Sequence, residues 1–541
     1  MAEATMTRTP LGATLTLQQR LIVMGALLTA MFLFALDQSI VATAVPRMLA
    51  DLGGFDIFGW VFTIYLLSST VTIPIVGKLS DMFGRRNYLL VGIGIFIVSS
   101  LACGIAPSMT VLIAARGAQG VGGGMIVSCV FATLGDLFTP LERAKYFAMM
   151  TGMFTFSLMA GPTFGGFLTD GPGWRWCFYI NLPLGLIAAA LIAWKLPAGG
   201  GSGGRPSDVD FLGSGLLTTA TITAMLGVVW ASASYGWGSS ITLGLLAVAA
   251  VSAVAFVLQE RRHPHAVIPL SLFKNVPFVQ SVAMTVIAAS TIFGAIPYLP
   301  TFVQTSLGGS ATASGLVVVP RAIALLCTSI VAGQLVSRTG NYKYLMVIGA
   351  TAIFGAVILL RGLHSGQPIW HLAAIMGLMG FGEGLVFPMS QVVVQASVDQ
   401  DQQGVAASTR QFFLQVAQSF GVGIFGLLLT TWYASSFTQS TANIASSIPP
   451  AAYEQLKDPT LALDPVRYSA VAAQVQAQPN GDAVLRQART AQRESVAVAI
   501  DGIFTISVVA SVFVLGIALT LRRISLHRNF HAVEAGIPDA G

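Results

Sequence analysis

Charge is what this chain has least of. Of its 541 residues, Lys and Arg supply 28 and Asp and Glu 22, which together make 9%. A soluble domain carries roughly 25%. So few charges cannot solvate the surface of a chain this long, which excludes a soluble enzyme, a disordered segment and a nucleic-acid binder. Cysteine is scarcer still. Cys103, Cys129, Cys177 and Cys327 lie in or beside apolar stretches without metal-ligand spacing, so neither a disulfide frame nor a metal site is expected. The six histidines fall in loops or near the ends of apolar runs, and no acid–His pair dominates them. His263 and His265, for example, flank Pro264 in a basic loop. A membrane-embedded transferase, which needs polar catalytic groups gathered near one interface, is therefore disfavoured. A P-loop is lacking too. Gly77-Lys78 is followed by Leu79 and preceded five residues back by Thr72, which breaks G-x-x-x-x-G-K-[ST] and excludes an ATP-driven pump.

What the chain has is apolar length. Hydrophobic residues make up 54% of it, and the mean hydropathy is +0.76. A membrane span needs about 20 apolar residues. Runs of that length, separated by Gly, Pro and charged punctuation, predict about fourteen helical spans. The first covers 21–45 and the last 495–521. So many runs argue for a retained first span rather than a cleaved signal peptide. Lipid offers the backbone no hydrogen-bond partner, so each span must be helical.

Basic residues orient the spans. With the N-terminus inside, the inner short loops carry Lys78, Arg85, Arg86, Arg143, Lys145, Lys195, Arg261, Arg262, Lys274, Arg338 and Lys343, while the outer short loops hold little beyond Arg47 and Arg175. The expected layout is a cytoplasmic N-terminus over 1–20, a six-helix half over 21–196 and a Gly-rich cytoplasmic linker over 197–210. Two inserted spans occupy 211–259. A second six-helix half over 277–521 contains an outer loop at 434–494, and a cytoplasmic tail covers 522–541. The end of that outer loop, AVLRQARTAQRESVAVAI, is expected to extend the last helix above the membrane. The loop itself reads either as a handling element outside the membrane or as a spacer.

The chain also repeats itself. GQLVSRTGNYK at 333–343 echoes GKLSDMFGRRN at 77–87, and MGLMGFGEGLVFP at 376–388 echoes RGAQGVGGGMIVS at 116–128. The offsets, 256 and 260, are nearly equal, which implies two related halves with the substrate between them.

Several stretches carry mechanism. In GKLSDMFGRRNYL, Gly77 and Gly84 permit a tight turn and a close helix approach, and Asp81 can cluster with Arg85 and Arg86 at helix ends. Arg116 lies ~12 Å into its span from the outer side, and Asp37 ~24 Å into the first span from the inner side. Opposite charges at matching depth inside a bundle should pair. Pro162, next to Gly161 in mid-span, removes a helix hydrogen bond, and Gly165 and Gly166 let a neighbouring helix approach. Glu383 lies seven residues after position 376, the counterpart of Arg116, so the two should face inward alike, near mid-membrane. Read as a lone carboxylate in apolar surroundings, it would hold a proton near neutral pH. That suits a proton carrier or a site for a cationic substrate; the other reading is a protonated Glu bonded to a neighbouring helix.

These residues resemble motifs of the major facilitator superfamily. GKLSDMFGRRNYL is similar to its motif A, with Met82 where a basic residue is usual. LDQSIVATAVP at 36–46 resembles the first-span signature of drug:proton antiporters, with Asp37 as its acid and Pro46 as its end. LIAARGAQGVGGG matches motif B through Arg116, Gln119 and Gly120. SLMAGPTFGG matches the antiporter motif C, with Ser157 where a Gly is usual, and WRWCFYINLPLG resembles the sequence opening span six in the fourteen-span EmrB/QacA branch. The resemblance implies an all-α integral membrane protein of the major facilitator fold, with two six-helix halves plus two inserted helices. It implies proton coupling or substrate contact at Asp37, Arg116, Gln119 and Glu383. A conformational gate would comprise Gly77, Asp81, Gly84, Arg85, Arg86 and Asp136, the last at the inner end of span four. The motif C helix, with Gly161, Pro162, Gly165 and Gly166, is associated with export in the family, while a packing kink without directional meaning remains the alternative.

The expected function is a proton-coupled exporter of amphiphilic drugs or other small hydrophobic molecules, an antibiotic-resistance determinant working by alternating access. Export of an endogenous lipid or secondary metabolite is the alternative. The expected partners are substrate, protons and membrane lipid, with no cofactor, metal, ATP or nucleic acid, and the chain is expected to be a monomer. An excess of Arg over Lys with abundant Ala and Gly points to a GC-rich bacterial gene, hence a bacterial plasma membrane, with both termini cytoplasmic.

Overall fold

The computed structural model describes residues 15–54, 57–198, 208–231, 236–362, 367–459, 461, 465–524 and 526. Among them no β-strand forms. Most of the linker expected at 197–210, the start of the N-terminus and most of the tail lie outside the described residues.

Several helices start at side-chain caps. Thr16 closes a capping box with Gln19 ahead of α1 (Leu17–Leu52), and Thr139 closes one with Glu142 ahead of α5 (Pro140–Asp170), with Pro140 in the first turn. Between them run α2 (Trp60–Phe83), α3 (Arg85–Gly104) and α4 (Met109–Leu137, capped by Ser108). α6 (Trp176–Lys195) completes a first group of six. A hairpin comes next, α7 (Phe211–Trp230) capped by Asp210 and α8 (Ser240–Glu260) capped by Ser239. The second group is α9 (Val276–Ala295), α10 (Ala311–Thr339), α11 (Tyr342–Arg361), α12 (Ile369–Ala396), α13 (Gln403–Ser440) and α16 (Gly481–Thr520), with the short α14 (Pro450–Leu456) and α15 (Pro465–Gln476) between its last two.

Thirteen helices among the described residues are long and apolar enough to cross a membrane. α5 is the fourteenth long helix. Its 31 residues are diluted by Ser and Gly, and by Thr151, Thr155, Pro162 and Thr163 on the wall of a central cavity, which lowers its hydropathy below that of a lipid-facing span. The bounds differ from those expected mainly at the ends. α1 runs through Pro46 to Leu52, so Pro46 ends the motif but not the helix. α16 begins at Gly481, further upstream than the expected extension.

The two groups pack alike. α2 and α3 lie on α4 as α10 and α11 lie on α12, and α1 lies on α5 as α9 lies on α13. The repeat seen in sequence recurs at the turns: Gly84 between α2 and α3 and Gly340 between α10 and α11 both adopt positive φ, 98° and 68°, which a side chain rarely tolerates. α7 bridges the groups, through Trp60 of α2 against Trp230 and through Val228 against Gly423 of α13.

The loop expected on the outer side is folded over its described residues. Leu456, Val471, Val475, Leu485 and Ala488 are buried together. Tyr433 of α13 donates to the Leu456 carbonyl at 2.9 Å, and Arg489 of α16 donates to Tyr468 of α15 at 2.9 Å. The polar, Ala-rich loop thus forms a helical cap with an apolar core of its own.

Candidate functional site

Between the groups lies a cavity of about 660 Å³. Six phenylalanines, among them Phe34, Phe154 and Phe387, and three methionines make its wall greasy; five glutamines and two arginines, Arg321 and Arg410, make it polar in spots. No carboxylate is among its lining residues.

One end of the cavity is shut. α5 and α10 touch along their halves nearer the basic loops, where Gly333 meets Ala144 and Ser329 donates to the Ala148 carbonyl at 3.4 Å. Further along, the same helices part and line the cavity with Leu158 and Pro162 on one side and Gly315 and Val318 on the other. Gln395 of α12 donates to the Phe131 carbonyl of α4 at 3.0 Å, and Thr70 of α2 donates to Gln415 of α13 at 2.8 Å. Gly77 sits so close to Ser408 that a Cβ would fall 2.1 Å from its hydroxyl oxygen.

At that shut end stands the first charged cluster. Arg85 Nη1 lies 2.5 Å from Asp81, and its Nε donates to Asp136. Asp81 reaches across the groups and accepts the Val405 N–H at 3.0 Å, so a carboxylate occupies the free N–H groups at the start of α13. Gly404 lets it come near: a Cβ there would lie 2.2 Å from Asp81. Arg143, read from sequence only as an orienting charge, is also buried and donates to the Gly135 and Phe138 carbonyls, which fixes the end of α4. Arg86 is not part of the cluster. It points away and donates to the Ala193 carbonyl of α6 at 2.6 Å, because consecutive residues on a helix face different ways.

The second cluster is the expected pair. Arg116 Nη1 donates to Asp37 at 2.6 Å, and both side chains are fully buried. Gln119 at 2.9 Å and Asn181 at 3.0 Å donate to the other carboxylate oxygen. Ser100 accepts from Gln119 at 2.6 Å, and Arg116 lies 4.2 Å over the Tyr65 ring. Five helices contribute, yet none of Asp37, Arg116 or Gln119 lines the cavity.

The third cluster corrects the reading of Glu383 as a lone carboxylate. Both its oxygens accept from Arg321, from Nε and Nη2 at 2.7 Å each, a bidentate pair. Arg321 lines the cavity and Glu383 lies behind it, fully buried. The offset of 256 matches Arg321 to Tyr65, and Gly123, the counterpart of Glu383, faces the Tyr65 hydroxyl. The second half has put an ion pair where the first has a ring against a glycine. Arg321 and Arg410 were both missed in the sequence, although each stands alone in a long apolar run, the signal that singled out Arg116.

Motif C is a close helix contact. Cβ atoms on Gly161 and Gly165 would fall 1.9 Å from Ser39 and 2.1 Å from Thr43 of α1. Gly166 meets nothing within 4 Å, so it does not serve the approach expected of it. Residue 166 is one step round the helix and faces away from α1. No group of three His, Cys, Asp or Glu side chains comes together among the described residues.

Paired helical groups around a central cavity, with buried charge pairs and a charged latch at one end, define the class. The chain belongs to the Major Facilitator Superfamily, whose family model matches residues 27–422. It is 35% identical to the multidrug transporter protein MdtP of Bacillus subtilis over 80% of this chain and 79% of that one. It is 31% identical to multidrug resistance protein 3 of the same species over 81% and 85%. The crystal structure of the human organic anion transporter MFSD10 shares the fold, with a TM-score of 0.54 and 14% identity over 91% of this chain and 99% of that one.

Proposed function

We propose that this chain exports small amphiphilic molecules, drugs among them, across a bacterial plasma membrane in exchange for protons. One observation carries the reading: a greasy cavity between two helical groups, shut at its basic end by Asp81, Arg85 and Asp136. The basic end is the cytoplasmic one, both termini lie there, and the conformation faces outward. Residues 21–196 and 277–521 are the halves that rock, with 211–259 as an added hairpin, and the unit is a monomer. Relatives named as multidrug transporters support the choice of cargo. Met and Phe walls re-pack around different ligands, which suits a broad range.

Coupling requires an acid whose surroundings change when the cavity switches. Asp37 and Glu383 are the buried acids within reach of the cavity wall, each held by an arginine. In this reading the inward-facing state loosens one of these pairs and admits a proton in competition with substrate. The test is flux of a fluorescent amphiphile in proteoliposomes with and without an imposed pH gradient. Gradient-dependent flux is expected; flux indifferent to the gradient overturns the coupling, and no flux of any compound in a broad panel overturns the exporter.

Export of an endogenous lipid or secondary metabolite is the second reading, favoured by the folded cap above α13 and α16. A deletion strain with a changed lipidome and unchanged drug tolerance would select it.

A further inference from the structure

Every buried cation of the gate and of the Asp37 and Glu383 pairs has a job, but Arg410 stands apart. It lies on α13, seven residues after the helix start, in the cavity wall and is 3% exposed. Arg85, Arg116 and Arg321 each pair with a carboxylate. Arg143 lies near Asp136. Among the described residues, Arg410 is held only by neutral acceptors: the Ser390 hydroxyl at 3.1 Å, the Gln391 amide oxygen at 2.9 Å and the Phe387 carbonyl at 2.9 Å. Those occupy three of the five N–H groups of a guanidinium and leave two.

Gln391 adds a second, independent sign. Its oxygen is turned toward Arg410, so its amide nitrogen is the free end. That nitrogen is buried and has no hydrogen-bond partner among the described residues, and the residue lines the cavity. An unpaired buried donor is costly and calls for an acceptor. An uncompensated charge in a membrane core is costlier still, and such groups mark ligand paths.

Charge accounting over the whole cavity gives the sign of the ligand. Arg321 brings its own carboxylate from behind. Arg410 brings none, and no Asp or Glu is among the lining residues. The cavity wall therefore carries one positive charge without a carboxylate, set among aromatic side chains.

We propose that Arg410 and the Gln391 amide form the anion subsite of the cavity, and that the preferred cargo is an amphiphile carrying a carboxylate, sulfonate or phosphate. The planar guanidinium matches the oxygens of such groups. The anion sits at the floor between α12 and α13, and its apolar body lies against the Phe and Met walls. This rests on the transporter reading above, and it inverts the expectation of a cationic substrate drawn from Glu383, whose charge Arg321 already meets.

The test uses two probes with one ring system: 1-anilinonaphthalene-8-sulfonate, an anion, and N-phenyl-1-naphthylamine, which lacks the sulfonate. Binding of each to the full chain in zwitterionic nanodiscs is measured by fluorescence titration for wild type, Arg410→Gln, Arg410→Lys and Gln391→Glu. Arg410→Gln should weaken the sulfonate at least about tenfold relative to the neutral probe, since a buried charge contact is lost. Arg410→Lys should recover part of it. Gln391→Glu supplies the missing counter-ion in nearly the same volume and should exclude the sulfonate to a similar degree. Unchanged sulfonate affinity in Arg410→Gln or Gln391→Glu, or an equal fall for both probes, overturns the anion subsite. Should Arg410→Gln fail to fold, Gln391→Glu decides alone. Efflux of the neutral probe from wild-type proteoliposomes under a pH gradient is read separately; its failure counts against the exporter and leaves the binding result standing.

Discussion

At the residue scale, the two acids differ in how they are held. Asp37 is enclosed by three donors from α4 and α6, and removing Arg116 leaves a buried carboxylate with only amides around it. Breaking a buried pair from one side costs about 3–5 kcal/mol. Arg116→Gln should lower the thermal midpoint of the purified protein strongly. The double variant Arg116→Gln with Asp37→Asn should recover much of that loss, because the stranded charge is gone. Thermal unfolding of the four proteins in the cycle measures this, and strict additivity would argue against a coupled pair. Asp37→Asn alone should stop gradient-driven export at wild-type expression. Glu383 makes a different prediction, because Arg321 brings its charge to the cavity wall. Glu383→Gln should abolish transport or flatten its dependence on external pH, while Glu383→Asp keeps part of it. Wild-type pH profiles in both variants would leave Glu383 a structural role only.

At the scale of the element, the start of α13 and the face of α5 are the informative pieces. Asp81 binds the Val405 N–H across the two groups, so Asp81→Asn weakens the latch without disturbing the lipid-facing surface. Transport should fall while insertion and expression stay normal; normal flux would remove Asp81 from the gate. Along α5, Gly165→Ala would put a methyl group 2.6 Å from the Ile40 carbonyl oxygen, a backbone atom that cannot step aside. Such overpacking costs about 1–3 kcal/mol. Gly166→Ala meets nothing and should stabilise the helix by up to about 1 kcal/mol. Melting curves of the two variants, one residue apart, should move in opposite directions.

At the scale of the whole molecule, the arrangement predicts which contact must break for the cavity to change sides. Ala148 and Ser329 meet where α5 and α10 close the basic end. A pair of cysteines at these positions, with the exposed Cys327 replaced by Ser, should form a disulfide under oxidant. Transport should then stop and return on reduction. Undiminished transport by the cross-linked protein would mean that this end need not open.

Scarcity of charge, length of apolar runs and glycine-rich turns are local properties that can be read along the chain. They were enough to specify a membrane protein of helices, the approximate helix bounds and the repeat. They also brought Asp37 to Arg116 and Asp81 to Arg85, while Asp136 entered the gate through the resemblance to the family. Those pairs were legible because matching depth or a compact motif leaves few partners to choose from. Which faces of different helices meet is a tertiary matter, and there the chain alone was silent. Glu383 reads as lone along its own helix, and the partner that answers it, Arg321, is 62 residues away on α10. Arg86 and Gly166 sit inside motifs yet turn away from them, since one step along a helix is about 100° of rotation. Arg410 shows its meaning only when the whole cavity wall is assembled and no carboxylate is found among its lining residues. Depth can be counted along one helix, but the rotation of helices against each other is fixed by packing over the whole bundle.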